Sequence, residues 1–146
     1  MKVRSAEPRD FDAVTALLQE LGRPVVTDET RDRCREVYAA QVSDPIADHL
    51  VAEDADGKVV GFCALHFRNR LNQTTPEAWV PDLIVAEGLR GVGIGKALLE
   101  QAERRAIERR CWALSLESAH HRLEAHRFYG AFGMRDMGKA FRKLLG

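Results

Sequence analysis

The sequence has no excess of charge of either sign, and this limits the partners that it can attract over a distance. Its 146 residues contain 22 Lys and Arg against 22 Asp and Glu, so the formal net charge is zero at pH 7. Long-range attraction to nucleic acid or to an anionic membrane surface requires a marked positive charge. Neither nucleic acid nor a membrane is therefore expected as a partner.

Cysteine is scarce as well. The chain contains Cys34, Cys63 and Cys111, an odd number at wide spacing, with no Cys-x-x-Cys pair and no His-spaced cluster. Neither a disulfide framework nor a zinc site is predicted, and no other metal is indicated. Cys63 and Cys111 fall in apolar strand patterns and are expected to be small core residues. This cysteine usage fits a reducing compartment.

Long hydrophobic runs, repeats and linker-like segments are also missing. No stretch is apolar enough for a membrane span, and Met1-Lys2 leads directly into a folded pattern instead of a signal peptide. We therefore expect a cytoplasmic protein. With 45% hydrophobic and 30% charged residues the composition is that of an ordinary globular protein, and residues 1–146 are predicted to form one domain.

Hydrophobic periodicity predicts an α/β protein. Helices are expected over residues 10–21, 28–42, 92–109 and 123–132, and strands over residues 3–6, 50–53, 59–65, 78–85, 112–117 and 141–145. Asp56-Gly57 predicts a hairpin loop over residues 54–57, because glycine supplies the positive φ that such loops need. Pro81 has no N–H for a β-ladder, so a bulge or splayed edge is expected within the strand over residues 78–85.

A glycine-rich segment between the predicted strand 78–85 and the predicted helix 92–109 is the most informative part of the chain. Glycine occupies alternate positions here, with a cationic residue at each end: Arg90, Gly91, Val92, Gly93, Ile94, Gly95 and Lys96. Glycine lets the backbone bend close to a ligand, and the first N–H groups of a helix have no internal partner. Such a bend favours a phosphate group, which the positive end of the helix and the two cations attract.

Two familiar phosphate-binding motifs do not match this segment. In a Walker A loop, Arg90 would stand where the first glycine is needed, and Ala97 would replace the hydroxyl that holds magnesium. In a dinucleotide fingerprint, the third glycine would fall on Lys96 or Leu98. A different phosphate compound is therefore expected, and the alternative is a loop whose three glycines are incidental.

The segment Arg90-Gly91-Val92-Gly93-Ile94-Gly95 resembles the Arg/Gln-x-x-Gly-x-Gly/Ala signature of the GNAT acetyltransferase superfamily, which binds acetyl-coenzyme A. The likeness covers nearly the whole chain. Residues 3–18 resemble the first strand and helix of the superfamily, residues 82–85 the strand before the pyrophosphate loop, and residues 125–134 the C-terminal Ala-His-x-Phe-Tyr and Gly-Phe segment. The resemblance implies a GNAT fold, with a mixed, mostly antiparallel central sheet splayed between its fourth and fifth strands and flanked by about four helices.

The resemblance also implies an acetyl-coenzyme A site. Leu83, Ile84 and Val85 are expected contacts, with backbone groups of Ile84 and Val85 pairing with the pantetheine arm as though it were another strand. The N–H of Val85 is the implied donor to the thioester oxyanion. The glycine-rich segment from Arg90 to Lys96 is expected to bind the pyrophosphate. Arg122 is a further candidate, because a branch that includes aminoalkylphosphonate and aminoglycoside acetyltransferases has Arg there.

The family pattern assigns a general acid but leaves the general base open. Tyr129 matches the position of the family's general acid, and packing beside Phe128 and Phe132 is the alternative. Many relatives carry a basic glutamate six residues before the position of Val85, and this chain has Trp79 there. Asp82 and Glu117 are the tentative substitutes, His120 and His121 are further candidates, and some relatives leave the proton to solvent.

These residues predict an enzyme that moves acetyl from acetyl-coenzyme A to a primary amine, directly in a ternary complex. A small-molecule acceptor is preferred. A protein or peptide N-acetyltransferase is one alternative, and a catalytically silent acyl-coenzyme A sensor is another. Acceptor recognition is expected from the first two helices and the polar loop 68–75, where acidic residues favour a cationic amine unless they are merely a solvated helix face. The family makes a homodimer possible.

Overall fold

A computed structural model of the chain describes residues 1–117 and 123–146. The helices are α1 (Phe11–Glu20), α2 (Arg31–Val42), α3 (Ile94–Glu108) and α4 (Leu123–Ala131), with a short 3-10 turn at Pro8–Asp10. The strands are β1 (Lys2–Ser5), β2 (Leu50–Glu53), β3 (Val59–Cys63), β4 (His66–Arg68), β5 (Glu77–Val80), β6 (Leu83–Val85) and β7 (Ala113–Leu116). The predicted α/β class is confirmed.

The chain divides into two compact units, Met1–Ser115 and Leu116–Gly146. The first unit contains both sheets and the first three helices, and the second contains α4 and the C-terminal segment. A single domain over residues 1–146 therefore stays a prediction. None of the helices in the described ranges is long and apolar enough to cross a membrane.

The larger sheet has the strand order β1-β2-β3-β6, and its neighbouring strands pair antiparallel. The predicted hairpin joins β2 and β3. Gly57 adopts a φ of 79°, and the Asp54 carboxylate accepts hydrogen bonds from the N–H groups of Asp56 and Lys58, both at 2.9 Å. The Asp-Gly sequence thus forms the turn for the reason that its chemistry suggests.

The smaller sheet has the order β4-β5-β7 and arises because one predicted strand is broken in two and because β4 is an additional strand that was not predicted. The strand predicted over residues 59–65 ends at Cys63, and the chain resumes as β4. The strand predicted over residues 78–85 breaks at Pro81 and Asp82, as the missing N–H of Pro81 suggests. The N–H of Ala64 donates to the carbonyl of Asp82 at 2.8 Å, so the two breaks face each other.

These breaks produce the expected splay. The first half of the predicted fourth strand, β5, lies between β4 and β7, whereas the second half, β6, has β3 as its one neighbour among the described strands. No strand in the described part of the chain occupies the second edge of β6, which we call its free edge.

Helices cover both sides of the larger sheet. Phe11, Val14 and Leu17 of α1 belong to a buried cluster with residues of β2, β3 and β6. On α3, Leu98 packs so closely over Gly61 of β3 that a Cβ there would lie 2.9 Å from the Leu98 Cδ1 atom. Gly61 therefore allows α3 to approach the sheet, which fixes where this helix begins.

A largely buried ion pair joins two charged residues near the N-terminus of the first unit. Arg4 donates to both carboxylate oxygens of Asp10, at 2.7 and 2.8 Å, and Asp10 also accepts the N–H of Glu7 at 2.8 Å. The bidentate geometry ties β1 to the turn before α1. These residues have a structural role, and they are among those that carry the family resemblance.

Two sequence expectations are corrected in the fold. Residues 141–145 do not form the predicted closing strand: residues 134–146 have no helix or strand assigned within the described ranges, and Phe141 and Leu145 are each 91% exposed. Apolar residues alone do not make a strand, because its backbone groups also need a neighbouring strand. Cys111 precedes β7 instead of lying within it and is only half-buried, whereas Cys63 is fully buried in β3.

Candidate functional site

The start of α3 offers three backbone N–H groups to a ligand. Gly91 and Gly93 adopt φ values of 86° and 93°, in the left-handed region that suits glycine. The first intrahelical bond is donated by Ala97 to the carbonyl of Gly93, at 3.0 Å. The preceding N–H groups, those of Ile94, Gly95 and Lys96, therefore have no intrahelical partner. No side chain within the described ranges caps this helix.

The start of α3 lies directly against the end of β6. The Arg90 guanidinium donates from Nε to the carbonyl of Val85 at 3.2 Å. A Cβ built on Gly95 would lie 3.6 Å from Val85 Cγ2, which is ordinary van der Waals contact. The predicted pyrophosphate segment and the predicted oxyanion donor are thus neighbours. Lys96 is exposed and lies 3.8 Å from the Glu100 carboxylate, one helical turn away.

The register of β6 decides which backbone groups face its free edge. Hydrogen bonds from Ala64 to Asp82 and from Ala86 to Val60, both 2.8 Å, flank the paired segment. Because hydrogen-bonded and non-hydrogen-bonded pairs alternate in an antiparallel ladder, Ile84 directs its backbone groups toward β3. Leu83 and Val85 direct theirs away from it. The backbone groups of Ile84, which were expected to pair with the pantetheine arm, are therefore committed to β3, whereas those of Leu83 and Val85 face the second edge of β6. The pairing itself stays a prediction.

The other predicted site residues stand in different situations. Asp82 accepts from Arg23 Nε at 2.8 Å and is paired with the same guanidinium through Nη2. Glu117 is exposed and directly follows β7. Tyr129 is half-buried on α4, and its ring centroid is 5.4 Å from that of Phe128. Arg122, His120 and His121 lie outside the described residues.

The structure also brings together a polar group of residues that sequence reasoning missed. Strands β4 and β5 pair antiparallel, with His66 opposite Trp79 and Arg68 opposite Glu77. Opposed residues share a face of the sheet, and so do alternate residues along a strand. We call these four residues, together with Ser115 of β7 and Arg70 of the loop after β4, the polar sheet face. The alternate residues, which include Phe67 and Ala78, are buried on the opposite side.

Glu77 is the centre of this polar sheet face. Its side chain is 7% exposed and accepts from Arg68 Nε at 2.6 Å and from the Ser115 hydroxyl at 2.9 Å. Arg70 Nη1 lies 3.5 Å from the same carboxylate. Burial alone would raise the pKa of Glu77, but the hydrogen bonds from Arg68 and Ser115 outweigh it and hold the pKa below its usual value. Glu77 is therefore an anion at neutral pH.

Two histidines beside this face are held in the neutral form. Burial lowers the pKa of His49 to about 4. Its Nδ1 accepts the N–H of Leu65 at 2.9 Å and its Nε2 bonds to Gln41 Oε1 at 2.7 Å, so one ring nitrogen must stay unprotonated. Burial also lowers the pKa of His66, whose ring lies 4.8 Å from that of His49.

Neither a reactive thiol nor a metal centre stands out. Burial raises the pKa of the Cys63 thiol to about 12, so Cys63 is a thiol at neutral pH and a poor nucleophile. Burial also raises the pKa of Cys111. In the part of the chain that the structure describes, no three His, Cys, Asp or Glu side chains come together to hold a metal ion.

Comparison with known proteins gives consistent matches over nearly the full chain. The model of the acetyltransferase (GNAT) family matches residues 11–134. The aminoalkylphosphonate N-acetyltransferase of Salmonella typhimurium is 31% identical over 144 residues, which are 99% of this chain and 91% of that protein.

Solved structures agree in fold. One is an Agrobacterium tumefaciens str. C58 protein described as an acetyltransferase, with a TM-score of 0.87 and 25% identity over 99% of this chain and 100% of that one. Another is glucosamine-6-phosphate N-acetyltransferase from Arabidopsis thaliana, with a TM-score of 0.82 and 21% identity over 99% and 98% of the two chains. The second likeness concerns the fold alone.

Proposed function

Because the chain belongs to the acetyltransferase (GNAT) family, we propose that it transfers acetyl from acetyl-coenzyme A to the primary amine of a small molecule, directly and in a ternary complex. One observation carries this proposal. Three N–H groups at the start of α3 have no partner among the described residues and lie beside the free edge of β6, so that an anion and an extended amide chain can be bound next to each other.

Coenzyme A has the chemistry that these two features require. Its pyrophosphate suits the N–H groups of Ile94, Gly95 and Lys96, which the positive end of the helix reinforces. Its pantetheine amides suit the outward backbone groups of Leu83, in the manner of an added strand. Arg90 occupies the Val85 carbonyl, which leaves the Val85 N–H as a donor toward the thioester.

The reaction exchanges one bond for another. The amine nitrogen forms a bond to the acetyl carbonyl carbon, the C–S bond breaks, the amine loses a proton and the coenzyme A thiolate gains one. Negative charge develops on the carbonyl oxygen during attack, and a preorganised donor such as the Val85 N–H is worth roughly 3 kcal/mol of the barrier. Bound acetyl-coenzyme A supplies the activated acyl group.

Tyr129 is the proposed general acid that protonates the thiolate, by its match to the family position. The base is less defined. Asp82 is paired with Arg23, and this ion pair commits one of its carboxylate oxygens. Glu117 is exposed and thus open to water, through which it could take the proton of the amine.

Calorimetric titration with coenzyme A tests whether the start of α3 and the edge of β6 bind this ligand, and it does not require turnover. We expect saturable heat and a raised melting temperature. No heat and no thermal shift at millimolar coenzyme A would overturn the proposal.

An acceptor panel then tests the chemistry. Polyamines, aminoglycosides, peptides and aminoalkylphosphonates are offered with acetyl-coenzyme A, and thiol release is measured. The Salmonella relative makes aminoalkylphosphonates the first class to try. Thiol release with peptides alone would favour a peptide N-acetyltransferase. Coenzyme A binding without release on any amine would favour a sensor, an alternative that Trp79 in the usual carboxylate position keeps open.

Tyr129→Phe separates catalysis from binding. If Tyr129 is the general acid, turnover falls by about a hundredfold, while the affinity for acetyl-coenzyme A is unchanged. Phe128→Leu is the matched control for the packing of α4, since the rings of Phe128 and Tyr129 are in contact. Equal loss of turnover in both variants would indicate that Tyr129 only packs.

A further inference from the structure

The polar sheet face has more positive charge and more hydrogen-bond donors than its own acceptors can satisfy. Arg68 and Arg70 share a single carboxylate, that of Glu77. One of the two carboxylate oxygens also receives the Ser115 hydroxyl. The group therefore has a net charge of about +1, because His66 is neutral at pH 7.

Asp82, the next carboxylate along the chain, does not neutralise this net positive charge. Its side chain is already paired with the guanidinium of Arg23. The excess positive charge thus belongs to the pair Arg68 and Arg70, and it is not cancelled by Asp82.

Arg68 is held in a defined orientation with its terminal nitrogens unused. Its Nε is bonded to Glu77, and its Cζ lies 4.5 Å from the centroid of the Trp79 ring. Stacking on an aromatic ring and one fixed hydrogen bond preorganise the guanidinium plane. Its two Nη groups have no hydrogen-bond partner among residues 1–117 and 123–146, and such a pair suits bidentate binding of an oxyanion.

The exposure of these side chains favours a ligand. Arg68 and Arg70 are 36% and 56% exposed, so a small molecule can reach both, whereas Glu77 is buried and holds them from below. The indole N–H of Trp79 is buried and lacks a hydrogen-bond acceptor in the described part of the chain. A buried donor without an acceptor is rare in folded proteins, and it again marks this face as short of acceptors.

We propose that Arg68 and Arg70 on the polar sheet face bind an anionic group of the acceptor, a phosphonate or a carboxylate, and thereby select amines that carry one. This inference rests on the proposed function, because it names the acceptor class of the same enzyme. Recognition of the acceptor then depends on its anionic group, which two arginines bind. The acidic residues of the first two helices had instead suggested recognition of a positively charged group.

The test compares acceptors that differ in the anionic group alone. Wild-type protein is assayed with 3-aminopropylphosphonate, 4-aminobutyrate and propylamine, and kcat/KM is measured for each. We expect propylamine to be the poorest acceptor, by about tenfold or more, since a charge-assisted hydrogen bond is worth a factor of this size. The order of phosphonate and carboxylate identifies which oxyanion the site prefers.

Arg70→Gln is the informative variant, because Arg70 makes no short hydrogen bond whose loss would disturb the fold. It is expected to raise KM for the anionic acceptors about tenfold, with kcat and the propylamine reaction nearly unchanged. Arg68→Lys, which keeps the charge but not the bidentate fork, is expected to have a smaller effect in the same direction. Arg104→Gln, an exposed residue of α3 bonded to Gln101, is the matched control.

A readout without turnover separates this inference from the proposed function. Calorimetric titration of 3-aminopropylphosphonate into wild type and Arg70→Gln should give binding that weakens about tenfold in the variant. If coenzyme A binds and amines are acetylated, but propylamine equals 3-aminopropylphosphonate, the anion site is refuted and the acetyltransferase stands. If 3-aminopropylphosphonate binds equally well to wild type and Arg70→Gln, the assignment of Arg70 is wrong.

Discussion

The start of α3 and the polar sheet face both present donors to a ligand, but they are built from different parts of the chain. At the start of α3 the donors are the backbone N–H groups of three consecutive residues, and two glycines in the left-handed conformation determine their orientation. On the polar sheet face they are side chains of β4, β5 and the loop between them, set by strand register around one buried carboxylate. The first depends on local conformation, and the second depends on packing.

This difference explains how each responds to change. A backbone site tolerates side-chain replacement wherever the required φ values survive. A side-chain site is disrupted when one partner of its network is removed, because the remaining groups lose their charge-assisted hydrogen bonds. The two regions can therefore be perturbed independently, and the following variants do so.

The largest effect is expected from Glu77→Gln. Replacing the buried anion by a neutral amide weakens the charge-assisted hydrogen bonds that Glu77 accepts from Arg68 and Ser115, which should lower the free energy of unfolding by about 3 kcal/mol. Urea denaturation measures this change. The affinity for coenzyme A, measured by calorimetry on the folded variant, is expected to change less than twofold.

Asp56→Asn provides the control, because Asp56 is exposed in the β2–β3 hairpin. Its free energy of unfolding should stay within about 0.5 kcal/mol of the wild type. A Glu77→Gln variant as stable as this control would mean that the polar sheet face is not a buried network.

Acid should also weaken the part of the fold behind the polar sheet face. The pKa of His49 is lowered to about 4 in the folded protein, against an ordinary value of 6.5. Between these values the unfolded chain binds a proton that the folded chain does not, so stability falls as the pH is lowered from 6.5 to 4. The expected loss is about 2 kcal/mol, and burial of His66 adds to it in the same direction.

Urea denaturation at several pH values measures this slope. His49→Gln cannot take up the proton, so its stability should depend less on pH in the same interval, whatever its absolute stability. An unchanged slope would show that His49 is not the titrating group.

Next in size is the contrast between two glycines at the start of α3. Gly93→Ala places a Cβ on a residue with φ of 93°, which is strained by roughly 1–2 kcal/mol, and we expect coenzyme A binding to weaken about tenfold. Gly95→Ala puts its Cβ at ordinary contact distance from Val85 and should change the affinity less than threefold. Calorimetry on both variants measures the contrast, and equal losses would mean that crowding, not backbone conformation, matters there.

A site that depends on local conformation can be predicted from the sequence more fully than one that depends on strand packing. The start of α3 could be predicted because its glycines, its cations and its helix are contiguous, and Pro81 marks the strand break that exposes β6. The sequence did not show that the backbone groups of Ile84 face β3, because the alternation of a ladder depends on its register with the neighbouring strand. A family resemblance indicates which strand is used but not which of its groups face outward.

The polar sheet face was missed for a related reason. His66 and Arg68 alternate with buried Phe67, and Glu77 and Trp79 alternate with buried Ala78, which is the period of a strand with one polar face. The pattern is only three or four residues long, and residues 68–75 were interpreted as a polar loop. Which residues oppose each other across β4 and β5 depends on tertiary pairing. Residues 141–145 show the converse. Their apolar pattern predicted a strand, but no strand within the described ranges pairs with them.

The smallest effect is expected at the start of α3 itself, from Lys96→Gln. Lys96 is 67% exposed and already lies near Glu100, so its charge adds little to a site made of backbone N–H groups. Coenzyme A binding should weaken about two- to threefold at low salt, and the difference should vanish at about 0.5 M salt, because exposed charges are screened. Glu103→Gln, an exposed residue further along α3, is the control. A tenfold loss that persists at high salt would place the main attraction for the anion in the lysine side chain, and the start of α3 would then be a side-chain site like the polar sheet face.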